Sequence, residues 1–403
     1  MNAVDDVSAG LVVWKFGRSS LRGIAGVRAV AERLVAARRS GCQVVAVLSA
    51  MADSAEQLAR LAGEISARPE RRELDALLSV GECVTCALTA MAVRDMGTSV
   101  LSLAGDQAGQ LTDARYGAAR PLAINPDRIL EGLAHGAIVL VAGGQGTWNG
   151  DVMRLGRDGA DSSAVALAAG LGVGRCDVIT ALPGVFTADP RVVPAARCMQ
   201  ELAADEMRNL AEGGAGMLQR EAVELAEALG VEIRVRSMST DTPGTSIRRQ
   251  PMAVVEGRIA GVAHQRRERL YTVSDISPAG ISSALGRRGA AVGTLLLDDM
   301  GVRFTAPGHD AADVTSALAL AGAEVTARED LGAVSVVGTG IGARPDVIGH
   351  ARNALRRSGI EAHAVTTTVS RIACHLSSDG IDQAARVLHD AFGLGRPIAD
   401  VQR

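Results

Sequence analysis

Lys15 is the only lysine in a chain of 403 residues that otherwise carries its positive charge on arginine. It stands where the apolar run Val12-Val13-Trp14 gives way to Phe16-Gly17-Arg18-Ser19-Ser20. An ammonium is a point charge on a flexible stem and can follow a moving phosphoryl group, whereas a guanidinium is a planar fork suited to fixed two-point contacts. A strand that runs into a Gly/Ser turn also offers backbone N–H groups to phosphates. The bland alternative is a lone surface lysine at a strand end. A second constellation follows an apolar run ending at Ala142: Gly143-Gly144-Gln145-Gly146, then Leu155-Gly156-Arg157-Asp158-Gly159-Ala160-Asp161 at the start of a helix. Here Arg157 could clamp a carboxylate. Asp161 is either a site carboxylate or simply the helix N-cap. A third, Thr180 leading into Pro183-Gly184-Val185-Phe186-Thr187-Ala188-Asp189-Pro190-Arg191, is rich in turns. It puts an arginine within reach of phosphates, or is a loop tied down by an Asp–Arg pair.

Elements must hold these residues together. Val12 to Phe16, Gln43 to Ser49, Thr98 to Ala104, Ala137 to Ala142 and Cys176 to Thr180 read as strands. Gly26 to Ser40, Leu74 to Met96 and Ser162 to Leu171 read as helices, the middle one long and buried. Continuously apolar strands imply a sheet covered on both faces, and their alternation with helices implies a mainly parallel α/β sandwich. Ligands of such sheets sit at the carboxyl ends of the strands, where all three constellations fall.

Composition narrows the class. A formal net charge of -3 with 22% charged residues gives no basic excess for nucleic acid, and 2% aromatics leaves little to stack on bases. No apolar run reaches the ~20 residues of a bilayer span, and the polar, acidic segment 1–10 is unlike a signal peptide and reads as a flexible tail. The six cysteines are scattered, as in a reduced cytoplasmic protein. Cys83 and Cys86 form one C-x-x-C without a second pair, so it reads as helix packing, and no metal-ligand spacing is found.

With these residues assembled, the chain resembles the aspartate kinases of the amino-acid kinase family over nearly its whole length. Lys15 to Ser20 is similar to K-F-G-G-[TS]-S, and Ser49-Ala50-Met51 to S-A-M. Glu73-Leu74-Asp75, Leu77-Leu78-Ser79 and Gly81-Glu82 are similar to R-E-L-D-x-L-L-S-x-G-E. Leu155 to Asp161 is similar to L-G-R-G-G-S-D, and Gly184 to Arg191 to G-V-Y-T-A-D-P-R. The resemblance implies ATP and Mg²⁺ as cofactors and Lys15 and Asp161 as the catalytic pair. It implies an amino-acid substrate held by Ser49, Glu82 and Arg157, and a nucleotide along Gly17, Arg18, Ser19, Thr180, Phe186 and Arg191. Transfer to a carboxylate needs no strong base, so catalysis would be positioning plus charge neutralisation.

The departures from the pattern cluster in the site. Arg18 and Asp158 replace glycines, Ala55 a threonine, Gly144 a phenylalanine and Ala160 a serine. Ala181 replaces an aspartate and Phe186 a tyrosine, and Gly216-Met217-Leu218-Gln219-Arg220 stands for K-V-L-H-P. Small residues at 55, 144 and 160 suggest an enlarged acyl pocket, and the losses at 181 and 216 weaker ATP use. Two functions stay open: a working phosphotransferase that makes an acyl phosphate of L-aspartate or a close analogue, and a degraded homologue acting as a regulatory or small-molecule-binding protein.

After a polar connection ending near Gln250 the pattern changes. Arg258 to Val273, Ala291 to Leu297 and Val302 to Ala306 read as strands around a helix from Ala279 to Arg288. Ala333 to Gly338, a helix from Pro345 to Ser358, two further strands and a helix from Asp382 to Phe392 form a second unit. Two βαββαβ-like units are the ferredoxin-like architecture of ACT domains. The expected organisation is a tail (1–10), a catalytic domain (11–250) and tandem ACT domains (251–403). The resemblance implies an amino-acid effector at the ACT domains and a homodimer or higher homo-oligomer, with no nucleic-acid or membrane partner. Arg266-Arg267-Glu268-Arg269 reads as a solvated face, and His264, His309, His363 and His375 as surface or strand residues.

Overall fold

The computed structural model describes residues 10–156, 158–240, 242–249, 257–286, 292–293, 295–298, 301–307 and 311–396. The tail 1–9, Arg157 and His309 lie outside them, as do parts of the expected helix and strand at 287–291. The chain divides into two units. The first comprises Met1–Val185, Cys198–Met207 and Leu218–Pro251, the second Phe186–Arg197, Arg208–Met217 and Met252–Arg403.

The first unit begins with β1 (Leu11–Phe16), α1 (Gly23–Arg39), β2 (Gln43–Leu48), α2 (Ser54–Ile65), α3 (Arg71–Asp95) and β3 (Val100–Leu103). It continues through β4 (Gln110–Thr112), β5 (Pro121–Ile124), α4 (Asp127–Ala134), β6 (Ile138–Ala142), β7 (Gln145–Trp148) and β8 (Asp151–Arg154). Then come α5 (Ala160–Gly170), β9 (Arg175–Thr180), β10 (Glu201–Ala203), α6 (Ala204–Glu212, whose residues from Arg208 on are counted with the second unit), α7 (Arg220–Leu229), β11 (Glu232–Ser237) and β12 (Thr245–Arg248). The main sheet runs β10-β12-β11-β9-β1-β2-β6-β3 and is parallel except where β11 meets β12. β1 is therefore interior, flanked by β2 and β9. Its period of two turns Trp14 and Phe16 to one face, where they join Leu34, Leu48 and Leu140 in the main core. Lys15 is left on the other face, toward α5.

α5 explains itself by composition. Its residues from Ala160 to Ala168 are all buried, so only small or apolar side chains fit, and the polar ones are confined to Asp161, Ser162 and Ser163 in the first turn. A small second sheet, β5-β4-β7-β8, was not legible in the sequence because its strands are three or four residues long and broken by polar positions.

α3 departs from the expected buried helix. By length and composition it could cross a membrane. Instead it turns Asp75, Ser79, Glu82, Thr85 and Thr89 into the fold while Val80, Val84 and Met91 stay 48%, 43% and 61% exposed.

The second unit adds β13 (Ile259–Ser274), α8 (Pro278–Gly286), β14 (Leu295–Asp298), β15 (Gly301–Pro307), α9 (Ala311–Leu320) and β16 (Glu324–Gly338). α10 (Pro345–Arg357), β17 (Ala364–Thr368), β18 (Arg371–Ser377) and α11 (Ile381–Ala391) complete it. Its antiparallel sheet runs β14-β15-β13-β16-β18-β17. Two ferredoxin-like halves share its long central strands. The later part of β13 and the start of β16 close the half containing α8 and α9. The start of β13 pairs with the end of β16 to close the half containing α10 and α11. The halves are thus interleaved, each with its own core, one around Tyr271 and Phe304 and one around Val334, Ile372 and Leu388.

At the β13 bulge Glu268 turns inward rather than belonging to a solvated face. Its carboxylate lies 2.7 Å from His375 Nδ1, and both residues are buried.

Candidate active site

The carboxyl end of β1 carries the first part of the site. Lys15 is 7% exposed, which removes the surface-lysine alternative, and its Nζ lies 2.6 Å from Asp161 Oδ1. Asp161 is the second residue of α5 and is 2% exposed. It is therefore not the helix cap; that position falls to Gly159, which has no side chain. Burial pushes the Asp161 carboxyl up from its ordinary range, and the Lys15 ammonium opposes the shift. Gly17 makes room for the ammonium: a Cβ there would stand 3.1 Å from Lys15 Nζ. Gly17 and Ser20 close the turn through a Ser20 N–H to Gly17 carbonyl bond of 3.0 Å.

Three of the departures meet over this turn. Arg18 donates to Asp158 Oδ1 at 2.9 Å and to Glu56 Oε1 at 2.8 Å, and Gln219 Nε2 donates to Asp158 Oδ2 at 3.2 Å. Arg18 thus ties the lysine loop to α2 and to the loop before α5. The negative charge of Asp158 also pushes the neighbouring Asp161 carboxyl upward. The guanidinium balances that charge. Ser19, with Arg18, Arg22, Ala52, Asp53 and Glu56, lines a cleft beside the loop.

A second group surrounds Glu82. The loop after β2 is fastened to β1 and to α3: Ser49 N–H donates to Phe16 O at 3.0 Å and Met51 N–H to Thr85 Oγ1 at 3.0 Å. Glu82 is 7% exposed and bonds the Ala50 backbone. Burial raises its carboxyl to about 7, opposed chiefly by Arg154, whose guanidinium lies 3.8 Å away. Its Oε2 has no hydrogen-bond partner among the described residues. Arg154 is the residue sequence reading missed. It lies just before the loop already read as anion-binding, and Asp75 fixes it by accepting the Arg154 N–H at 2.9 Å and the Gly117 N–H at 2.8 Å.

The small residues at 144 and 160 find a packing role rather than emptying a pocket. Gly144 has φ +71, in the region where glycine is favoured. Its N–H donates to Ser163 Oγ at 2.9 Å, and a Cβ on Gly143 would collide with Ala160 Cβ at 2.7 Å. Close approach of the β6–β7 turn to the start of α5 is what these positions allow. Ser163 also accepts from Gln110 Nε2 at 3.0 Å.

The other expected residues are placed differently. Thr180 ends β9, and its hydroxyl closes a turn with Leu182 at 3.0 Å. Phe186 and Arg191 belong to the second unit, where Arg191 is held by Asp189 through contacts of 2.7 to 3.2 Å and is 84% exposed. That is the Asp–Arg tie foreseen as the alternative. Arg157 lies outside the described residues.

A parallel sandwich with a buried lysine–aspartate pair across the ends of β1 and α5 is the arrangement of an amino acid kinase, and the sequence model of the amino acid kinase family matches residues 10–237. The aspartokinase of Corynebacterium glutamicum is 38% identical over 96% of this chain and 96% of its own length. That of Geobacillus stearothermophilus is 38% identical over 98% and 100%. The chain belongs to the aspartokinases of that family. Among solved structures, Escherichia coli aspartokinase III in complex with aspartate and ADP superposes with a TM-score of 0.79 at 20% identity, covering 94% of this chain and 99% of that one. The aspartate kinase of Synechocystis gives 0.55 at 30% identity over 95% and 69%.

Proposed function

We propose that this chain transfers the terminal phosphoryl group of ATP to the side-chain carboxylate of L-aspartate, yielding an acyl phosphate. The observation that carries the reading is the buried Lys15–Asp161 pair at the carboxyl end of the central strand. A full positive charge held on a flexible stem, with Gly17 leaving it room, suits a phosphoryl group that gains negative character away from protein dipoles. Asp161 keeps the ammonium oriented until phosphate oxygens compete for it. Gly17 and Ser19 offer the turn's backbone to the phosphates, and Thr180 would line the nucleotide.

At the amino-acid end Glu82 is suited to the substrate's α-ammonium, since its Oε2 is buried without a partner among the described residues. Ser49 would add a hydroxyl contact, and Arg157 would clamp the α-carboxylate. The side chain is thereby directed toward ATP, and its carboxylate is already ionised at neutral pH. Among the described residues no group of three acidic or histidine side chains could hold a metal ion. That suits Mg²⁺ carried on the ATP phosphates and sharing one or two protein carboxylates, for which Asp158 and Asp161 are the candidates. The ion would neutralise phosphate charge. The paired second unit would take an amino-acid effector; E. coli aspartokinase III has been solved in complex with lysine and aspartate.

The test is turnover with MgATP and L-aspartate, trapping the product with hydroxylamine. Hydroxamate from aspartate supports the reading, and hydroxamate only from other acids, or none, overturns it.

Arg18 and Asp158 should behave as one unit in the same assay. Arg18→Gly leaves the Asp158 charge beside Asp161 and the incoming phosphates, and is expected to lower kcat/KM for ATP about 10-fold, the order of one lost charge contact. Arg18→Gly with Asp158→Gly removes both charges and should recover most of that loss. Additive losses in the double variant would show that the two act independently.

A further inference from the structure

Arg154 is fixed at its backbone and unspent at its tip. Asp75 accepts its N–H at 2.9 Å, its carbonyl accepts Ala119 N–H at 2.9 Å, and it faces Gln145 where β7 and β8 pair. The guanidinium, with its five N–H donors, makes no hydrogen bond among the described residues. Its ion pair there is the 3.8 Å approach to Glu82 Oε1, longer than a hydrogen bond, and the two side chains are 18% and 9% exposed. Asp75 and Glu82 stand seven residues apart, about two turns along one buried face of α3. One helix face therefore anchors the backbone of Arg154 with one carboxylate and meets its charge with another. The second oxygen, Glu82 Oε2, is buried with no hydrogen-bond partner among the described residues.

We propose that Arg154 is a positioning residue of the amino-acid site: it engages one carboxylate oxygen of Glu82 and leaves the other, charged and unshared, for the substrate's α-ammonium. The proposal rests on the reading of Glu82 as the partner of that ammonium. A cation is at first sight the wrong neighbour there, because it repels the ligand it helps to receive. Burial decides the matter. It raises the Glu82 carboxyl to about 7, against the opposition of Arg154 first and Arg18 behind it. Without Arg154 the buried carboxyl would hold its proton at neutral pH, and a neutral carboxyl attracts an ammonium far less than a carboxylate does. The other groups around Glu82 do not replace that charge. Arg18, in the loop after β1, is already shared between Glu56 of α2 and Asp158. On α3 itself burial keeps the Cys83 and Cys86 thiols protonated, and Asp106, after β3, adds only negative charge. Near neutral pH the gain from ionising Glu82 thus outweighs the repulsion, and it vanishes once Glu82 ionises without help.

The test is the affinity for L-aspartate from about pH 6 to about pH 9, measured by calorimetry without ATP, for the wild type, Arg154→Met and Arg154→Lys. Comparing proteins at each pH cancels the titration of the ligand itself. Arg154→Met is expected to bind about 10-fold more weakly at pH 7, the effect of one nearby opposite charge on a carboxyl, and to converge on the wild type toward about pH 9. Arg154→Lys should restore the wild-type profile, because a contact of 3.8 Å asks for a charge and not for a fork. A loss that is the same at every pH, or one that lysine does not repair, overturns the proposal. So does a loss that disappears when the α-amide of aspartate replaces aspartate, since the guanidinium would then grip the α-carboxylate itself. Melting curves read the contact without substrate and check that each variant is folded. In Arg154→Met the folded protein should hold the Glu82 proton longer, so the fall in melting temperature that ends near pH 7 in the wild type runs about one pH unit further. If the underlying reading is at fault, Glu82→Gln binds aspartate as tightly as the wild type while this displacement remains, and the proposal falls with it. If the contact alone is at fault, Glu82→Gln weakens binding and the displacement is missing.

Discussion

Lys15→Ala is expected to lower hydroxamate formation by about 10³-fold or more, the scale at which one preorganised charge contact to a transition state acts. The effect should fall on kcat, because the ammonium matters most when the phosphoryl group is between donor and acceptor. Lys15→Arg is not expected to rescue. The space vacated by the missing Cβ of Gly17, 3.1 Å from Nζ, suits a compact ammonium, and a planar fork is wider. Loss of the fold is the obvious confounder, since removing one partner of a buried ion pair strands the other, at a cost of about 3–5 kcal/mol. The variant Lys15→Met with Asp161→Asn removes both charges together. It should melt closer to the wild type than either single change and still be inactive. Activity in that double variant would move the chemistry away from this pair.

Glu82→Gln should act in two directions at once. The wild-type carboxyl is raised by burial from 4.5 to about 7. Between those values the folded protein keeps a proton that the unfolded chain has released, so stability is present at low pH and declines as pH rises through the window. Above about 7 both states are ionised and the full burial penalty remains, at most about 3 kcal/mol. Glutamine cannot ionise. The variant should therefore lose this slope between pH 5 and 8 and melt above the wild type at pH 8 in the absence of ligand. Yet its KM for aspartate should rise about 100-fold, because the substrate ammonium has lost its counter-charge. A residue with a purely structural role would not give higher stability and weaker substrate binding together. Measuring melting temperature against pH alongside KM separates the two cases, and a variant whose slope matches the wild type would refute the assignment.

What could be read in advance divides along physical lines. The strands around Lys15 were legible because a strand buried on both faces must be mainly apolar, as β6 is throughout and β1 and β2 are apart from Lys15 and Gln43. Lys15 and Asp161 were legible as site residues because a lone lysine and an aspartate at a helix start are odd by themselves, although only folding shows them in contact. α2 was missed because it has no fully buried residue to set a pattern. The clasp of Arg18, Asp158 and Gln219 was invisible. Each had been noted separately as a departure, and positions 140 and 61 residues apart in sequence meet only through the sheet. The interleaving of the second unit was hidden for the same reason, since β13 and β16 are each a single run and nothing local says that each serves two halves.

Because the chain contains a single lysine, and that lysine is the buried cation of the site, the centre carries its own spectroscopic label. Protein grown with lysine enriched in ¹⁵N at Nζ contains one enriched side-chain nitrogen. Its resonance reports the environment of the ammonium without assignment by mutagenesis and without interference from surface amines. Titrating nucleotide or aspartate into such a sample would follow the exchange of Asp161 for phosphate oxygens directly, at the one atom where the charge is held.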